Sequence, residues 1–283
     1  MKTPAMRLWT QNIQHWLRAR KGNEGSTLPD AMGLLDRKSL TTVFQPMVDL
    51  RTGSVMGHEA LIRMPRSVGE MSYEDLIRAA KEQRCQAPFE LGCMEVAIER
   101  WLVDRPGGQL FVNFSAQTLV ELQEAEGIDT LLQVLRKHRL QPKRMGLDIT
   151  GYTRVSNILT LVDALKPLRA AGMSVALDDF KVTEAGLRVW TKVLPTIVKM
   201  AARWTDKIDS SAENSAMVAS MVRQAQNHEC LLLAKSVEVE AQLRTLRGLG
   251  VDLAQGFFLG SPAPDPITSL NIRARSVLAT VSF

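Results

Sequence analysis

The sequence has few cysteines, few aromatic residues and no long apolar run, and each shortage excludes a class of protein. Three scattered cysteines among 283 residues cannot build a disulfide framework, and they favour reduced thiols in the cytoplasm. No apolar stretch approaches the roughly 20 residues of a membrane span, and we expect no signal peptide. No Cys/His grouping has zinc spacing, and the aromatic residues do not interleave with basic ones. A nucleic-acid polymer is therefore not an expected partner.

What is present is the composition of a globular protein. Hydrophobic residues make up 45% of the chain and charged residues 23%, and the formal net charge is +5. This length is sufficient for one large domain. The mild positive charge slightly favours anionic ligands or partners.

Residues 1–29 are predicted to form a segment of their own, followed by a single domain over residues 30–283. Within residues 1–21 the apolar side chains repeat at helical spacing: Leu8, Trp9, Ile13, Trp16 and Leu17. Basic residues surround this stripe, and no acidic residue precedes Glu24. Such a helix suits an anionic membrane surface, a partner protein or the chain's own domain. Residues 22–29 are typical of a flexible link.

From about residue 40 the chain alternates between strand-like and helix-like segments. Thr42–Leu50 and Ser54–Met64 flank a turn and predict a hairpin. Helical segments separate six further predicted strands: Gln109–Phe114, Arg144–Ile149, Val175–Leu177, Thr196–Met200, Leu231–Ala234 and Leu253–Phe257. This pattern predicts an α/β fold, a modified (β/α)8 TIM-like barrel with an antiparallel first strand.

Polar side chains gather in or after these strands. The central example is Asp178-Asp179, which follows the apolar Val175–Leu177 and needs a nearby positive charge unless it lies in a solvated loop. The others in this group are Glu59, Asn113, Asp148, Lys199, Lys235 and Gln255. Because barrel sites form where strands end, these residues predict the wall of one polar site.

Five motifs, in order and at similar spacing, resemble the EAL family, the bacterial phosphodiesterase domains for cyclic di-GMP. The resemblance runs from about Leu40 to Pro264 and includes the Glu59-Ala60-Leu61 triplet. The motifs are Phe44–Leu50, His58–Arg63, Phe111–Ser115, Ala176–Phe180 and Asp252–Phe257. The resemblance implies a modified β/α barrel, which agrees with the strand count.

The resemblance also implies roles for individual residues. In family enzymes two divalent ions activate a water that opens the cyclic dinucleotide. The implied ligands of the first metal are Glu59, Asn113, Asp148 and Asp178, and Asp179 would serve the second. The implied catalytic residues are Lys199 and Glu238. The implied ligand-binding residues are Gln45, Glu59, Leu61, Arg63, Asp179 and Gln255.

Several positions depart from the family pattern. Lys235 stands where the family usually has a glutamate, and a lysine can neither ligate a cation nor, while protonated, accept a proton. At 4 Å and an effective dielectric constant of about 20, Lys235 would repel a divalent ion by roughly 8 kcal/mol. Asp148 and Gly151 replace glutamates, Lys181 stands in place of a loop glycine, and Ala201 replaces an aspartate.

These departures predict a degenerate EAL domain in which Lys199 and Glu238 are vestigial. Its lysines would either hold the phosphates of cyclic di-GMP or pair internally with carboxylates. The domain would act as a metal-independent receptor for cyclic di-GMP. The alternatives are a protein-interaction regulator that no longer binds the nucleotide and a weakly active phosphodiesterase. Mg²⁺ or Mn²⁺ would bind at one site or not at all, and a protein partner or a homodimer is expected.

Overall fold

The computed structural model describes residues 30–36, 39–64, 73–125 and 127–279. The predicted amphipathic helix within residues 1–21 and the link at 22–29 lie outside the described residues. No helix within the described ranges is both long and apolar enough to cross a bilayer.

Eight strands close into a barrel in sequence order, as the sequence predicts. They are β1 (Thr41–Asp49), β2 (Val55–Arg63), β3 (Gln109–Ser115), β4 (Met145–Thr150), β5 (Ser174–Phe180), β6 (Ile197–Met200), β7 (Leu231–Ala234) and β8 (Leu253–Ala254). β1 is antiparallel to both neighbours, pairing Gln45 with Glu59 of β2 and Val48 with Ala254 of β8. The other neighbours pair in parallel, so β2–β8 all end on one face of the barrel.

The helices lie around the barrel and cover the outward-facing side chains of the strands. They are α1 (Ala31–Asp36), α2 (Tyr73–Glu82), α3 (Gln86–Asp104), α4 (Ala116–Glu124), α5 (Asp129–Lys137), α6 (Ile158–Ala170), α7 (Glu184–Val193), α8 (Ala212–Asn227), α9 (Glu240–Gly248) and α10 (Ile272–Ala279). Cys93 lies within α3, whereas Cys85 precedes it. Both thiols, and that of Cys230, are buried and free.

The barrel interior is built in two layers because side chains alternate along a strand with a period of two. One layer is apolar and consists of Met47, Phe111, Ala176, Ile197, Leu233 and Leu253. Two residues further along their strands stand Asn113, Asp178, Lys199, Lys235 and Gln255. The apolar layer therefore forms the floor beneath a polar layer at the C-terminal face.

Two strands, β5 and β8, differ from the predicted bounds by more than one residue. β5 continues through Asp178 and Asp179 to Phe180, with a register irregularity after Leu177. Phe180 is buried edge-on against Trp190 of α7, with ring centroids 4.9 Å apart, and this contact holds the strand past its two carboxylates. β8 is shorter than predicted and ends at Ala254.

Candidate functional site

The centre of the polar layer is the ammonium group of Lys199. Its Nζ donates to Glu59 Oε2 at 2.8 Å and to Asp148 Oδ2 at 2.5 Å. The side chains of Lys199 and Asp148 are fully buried and that of Glu59 nearly so. Breaking a buried pair of this kind is costly because it leaves an uncompensated charge away from water. These three residues, called the charged triad below, join β2, β4 and β6.

Neutral amides complete the surroundings of Glu59. Asn113 Nδ2 donates to Glu59 Oε1 at 3.2 Å, and Gln255 Nε2 donates to Glu59 Oε2 at 3.0 Å. Gln255 Nε2 also donates to Gln45 Oε1 at 3.0 Å, so this series of hydrogen bonds connects β1 to the end of β8. Together with Lys199 and Asp148, these residues bring six of the predicted site residues into one hydrogen-bonded network beneath the mouth of the barrel.

The two carboxyl groups of the charged triad differ in pKa. Burial opposes ionisation of Glu59, but the charges of Lys199 and Lys235 outweigh it and lower the pKa of Glu59 to about 2. Burial raises the pKa of Asp148 to about 7 against the attraction of Lys199, and the negative charge of Glu59 adds to the increase. Burial alone would lower the pKa of Lys199, but its two carboxylate partners raise it. One ammonium group therefore neutralises Glu59 fully, while Asp148 can hold a proton near neutral pH.

Two more lysines pair with the double aspartate. Lys235 Nζ donates to Asp178 Oδ1 at 2.7 Å, and Lys181 Nζ lies 3.4 Å from Asp179 Oδ2. Burial works to lower the pKa of Lys235, but the carboxylates of Asp178 and Glu59 raise it above its ordinary value, so Lys235 is charged at neutral pH. Asp179 has a positive φ of 49°, and its side chain is about half exposed at the end of β5.

The residues in this arrangement do not fit a divalent cation. A metal ion would need the carboxylates of Glu59, Asp148 and Asp178 to converge on one point, but ammonium groups contact all three. In the part of the chain that the structure describes, no group of three or more His, Cys, Asp or Glu side chains has the spacing of a metal site. The lysines supply the positive charge here.

A cavity of about 1470 Å³ opens above the polar layer. Its walls include Glu59, Leu61, Arg63, Asn113, Asp178, Asp179, Lys181 and Lys235. Arg63 is exposed at the end of β2, and its Nη1 donates to the carbonyl oxygen of Ile62 at 3.3 Å. The cavity is larger than the 300–1,000 Å³ of a typical small-molecule site, so it can admit a dinucleotide.

The structure separates some predicted site residues from this cavity. Gln45, Asp148, Lys199 and Gln255 belong to the network beneath it and are not among its lining residues. Glu238 is exposed after β7, and its backbone N–H donates to Gln242 Oε1. Its side chain makes none of the contacts described for the polar layer, so an ion pair between Lys235 and Glu238 is not formed. The side chain of His58 lies outside the barrel interior, with Nε2 2.8 Å from the carbonyl oxygen of Ile267.

Part of the cavity wall consists of residues that no sequence motif indicated. Tyr73, Arg78 and Lys81 of α2 line the cavity, as does Arg154. Segments that follow barrel strands lie at the C-terminal face. The position of these four residues after β2 and β4 therefore could have indicated that they line the cavity.

Glu90 is a further residue near the cavity that no sequence motif indicated. This buried residue of α3 accepts a hydrogen bond from the backbone N–H of Ser115 at 3.1 Å, close behind the cavity wall. Burial raises the pKa of Glu90 to about 7. Glu90 lies within an apolar helical segment, and nothing in the sequence there indicates that its carboxyl group is buried close to the cavity.

The fold and the site define a closed eight-stranded β/α barrel with a charged pocket at its C-terminal face. The chain belongs to the EAL domain family, because the model of the EAL domain matches residues 27–262. MucR of Pseudomonas aeruginosa, a bifunctional diguanylate cyclase/cyclic di-GMP phosphodiesterase, is 25% identical over 84% of this chain and 35% of its own length. The probable cyclic di-GMP phosphodiesterase PdeA of Escherichia coli is 25% identical over 81% of this chain and 31% of its own length. The chain thus spans about a third of the length of these relatives.

Solved structures share the fold. The phosphodiesterase MucR of P. aeruginosa, in complex with cyclic di-GMP, has a TM-score of 0.72 at 25% identity, covering 83% of this chain and 96% of that one. The EAL domain of Xanthomonas citri FimX, also a cyclic di-GMP complex, has a TM-score of 0.73 at 18% identity, covering 94% and 99%. Klebsiella pneumoniae BlrP1, with manganese and the dinucleotide, has a TM-score of 0.69 at 24% identity, covering 82% and 57%. Divalent metal use is therefore known among the structural neighbours.

Proposed function

We propose that this chain is an EAL domain that binds cyclic di-GMP without a metal ion and does not hydrolyse it at an enzyme's rate. One observation carries the proposal: Lys199 and Lys235 place ammonium groups directly on Glu59, Asp148 and Asp178. Within the family resemblance, these carboxylates are the ones expected to hold metal.

The loss of hydrolysis follows from the chemistry of Lys235. Hydrolysis needs an activated water, and a metal ion or a general base must lower the cost of removing its proton. Lys235 is held in its charged form by Asp178, so it cannot accept that proton. Glu238 lies outside the polar layer and makes no described contact that would orient a water there.

Retention of binding follows from charge and shape. Five carboxylate side chains and six lysine or arginine side chains line the cavity, so the bound phosphates meet no net negative charge. The planar guanidinium group of Arg63 can donate two parallel hydrogen bonds to a phosphate or to the edge of a guanine base. The complexes of MucR and FimX with cyclic di-GMP support the same ligand for this pocket. Leu61, Arg63 and Asp179 are the ligand-contacting residues proposed from the cavity wall.

Calorimetric titration of cyclic di-GMP in EDTA tests the binding. We expect micromolar or tighter affinity for the wild type and at least a tenfold loss in Arg63→Ala. Arg51→Ala is the matched control, because Arg51 is also exposed but lies in the β1–β2 turn, away from the cavity. No binding in EDTA, with binding recovered in Mn²⁺, would overturn metal independence. No binding under either condition would make the pocket vestigial and favour the protein-interaction regulator.

Chromatography of cyclic di-GMP incubated with Mg²⁺ or Mn²⁺ tests the lack of hydrolysis. We expect the cyclic dinucleotide to persist. Linear product formed at about 1 s⁻¹ or faster, a rate ordinary for enzymes, would show that the domain is an active phosphodiesterase.

A further inference from the structure

A second concave region lies at the opposite end of the barrel. It forms where α3 and α5 end and where Pro142–Arg144 leads into β4, at the N-terminal ends of the strands. Its volume is about 560 Å³. This region, called the basal cleft below, includes Leu102, Arg105, His138, Arg139, Leu140 and Arg144.

The basal cleft carries concentrated positive charge. Three of its lining residues are arginines, and none of its lining residues is acidic. Arg144 is rigidly held: its Nε donates to the Gly108 carbonyl oxygen at 3.1 Å, and its guanidinium also contacts the Pro106 carbonyl oxygen. The same guanidinium lies 4.6 Å from the centroid of the Trp101 ring. Its partners are neutral, so the charge of Arg144 is fixed in place but not cancelled.

The other polar groups of the cleft have unused hydrogen-bonding capacity. Within the described part of the chain, the side chains of Arg105 and Arg139 make no hydrogen bond or ion pair. His138 Nε2 is buried and has no hydrogen-bond partner there. Buried polar atoms in folded proteins are almost always paired, so the unpaired Nε2 of this lining residue is an unused hydrogen-bonding group beside the cleft.

From this geometry we infer that the basal cleft binds a small phosphorylated molecule of nucleotide size or below. Guanidinium groups grip phosphate oxygens in pairs, and Arg105, Arg139 and Arg144 surround one cavity. Leu102 and Leu140 add an apolar wall that suits the uncharged part of such a ligand. The volume falls in the 300–1,000 Å³ range of small-molecule sites. The inference does not depend on what the pocket at the C-terminal face binds.

Titration of the whole chain with inorganic pyrophosphate and, separately, with ADP tests the inference. We expect submillimolar binding that weakens at least tenfold in the double variant Arg105→Gln/Arg139→Gln. Arg51→Gln/Arg223→Gln removes the same charge from two exposed positions outside the cleft and should change the affinity less than twofold. The double lysine variant Arg105→Lys/Arg139→Lys should give intermediate affinity, because it keeps the charge but loses the paired contacts.

Three results would overturn the inference. The first is no binding of either probe at 10 mM to the wild type. The second is equal weakening by the two glutamine double variants, which would mean that the probes respond only to net charge. The third is loss of binding in Arg63→Ala with no effect of Arg105→Gln/Arg139→Gln, which would place the probes at the C-terminal face. Thermal unfolding of every variant identifies any loss that comes from misfolding.

Discussion

Replacing Lys199 by methionine leaves Glu59 and Asp148 buried without the ammonium group between them. At 2.8 and 2.5 Å, each pair has a Coulomb attraction of about 6 kcal/mol at an effective dielectric constant of about 20. Most of this offsets the cost of burying the charges, and breaking such a pair destabilises a protein by about 3–5 kcal/mol. Because whole domains are stable by only about 5–15 kcal/mol, Lys199→Met should be marginally folded at pH 8.

The same variant should respond to pH in a characteristic way. Without Lys199 the pKa values of Glu59 and Asp148 both rise, because burial is no longer opposed. A group with a raised folded-state pKa gives stability at low pH that is lost as the pH rises through that pKa. The variant should therefore regain part of its lost stability between pH 8 and pH 5, when its carboxyl groups take up protons.

Urea unfolding of wild type and variant at both pH values measures the effect. Lys192→Met is the matched control, since Lys192 is exposed on α7, and its loss should cost less than about 0.5 kcal/mol. The free energy of unfolding of Lys199→Met should lie below that of the wild type. A difference of less than about 1 kcal/mol at pH 8, or one that is no smaller at pH 5, would refute the reasoning that Lys199 neutralises this site.

Three other perturbations follow from the same structure. Lys235→Glu places a carboxylate beside Asp178, so we expect the free energy of unfolding in EDTA to fall by about 1–2 kcal/mol. The melting temperature of this variant should rise on addition of Mn²⁺, whereas that of the wild type should not. Glu90→Gln removes a buried carboxyl whose pKa is raised to about 7. The wild type loses the stability of that protonated carboxyl as the pH rises through 7, so unfolding free energies measured between pH 4.5 and 9 should shift by about 3 kcal/mol in favour of the variant. Gly146→Ala would drive a Cβ into the ring of Phe111 and should cost about 1–3 kcal/mol in chemical denaturation.

Each of these has a contrary outcome, and the first and third also have a matched control variant. For the first, Lys181→Glu changes a more exposed charge, and an equal Mn²⁺ response in both variants would mean that metal binds the general negative charge of the rim. For the second, a pH-independent difference would show that Glu90 is not protonated in the folded state. For the third, Gly107→Ala adds a Cβ with no atom within 4 Å, and equal losses in both variants would point to backbone effects.

The alternation of side chains along each strand determined the apolar and polar layers inside the barrel. Apolar Ile197 and Leu233 each precede a lysine by two positions, so any barrel built from these strands places both ammonium groups above an apolar floor. The motifs around Glu59 and the double aspartate were sufficient to indicate the family and the barrel. The sequence also indicated that Lys235 stands in place of a carboxylate, although not which partner it would find.

Only the tertiary structure decided those partners. Lys199 lies 140 residues from Glu59 and 51 from Asp148 along the chain, and barrel closure brings their side chains to hydrogen-bonding distance. No local pattern encodes such a contact, because it depends on the stagger of strands that are distant in sequence. The same closure leaves Glu238 outside the polar layer. The basal cleft likewise needed three helix and turn ends to meet, since its arginines resemble ordinary surface residues in the sequence.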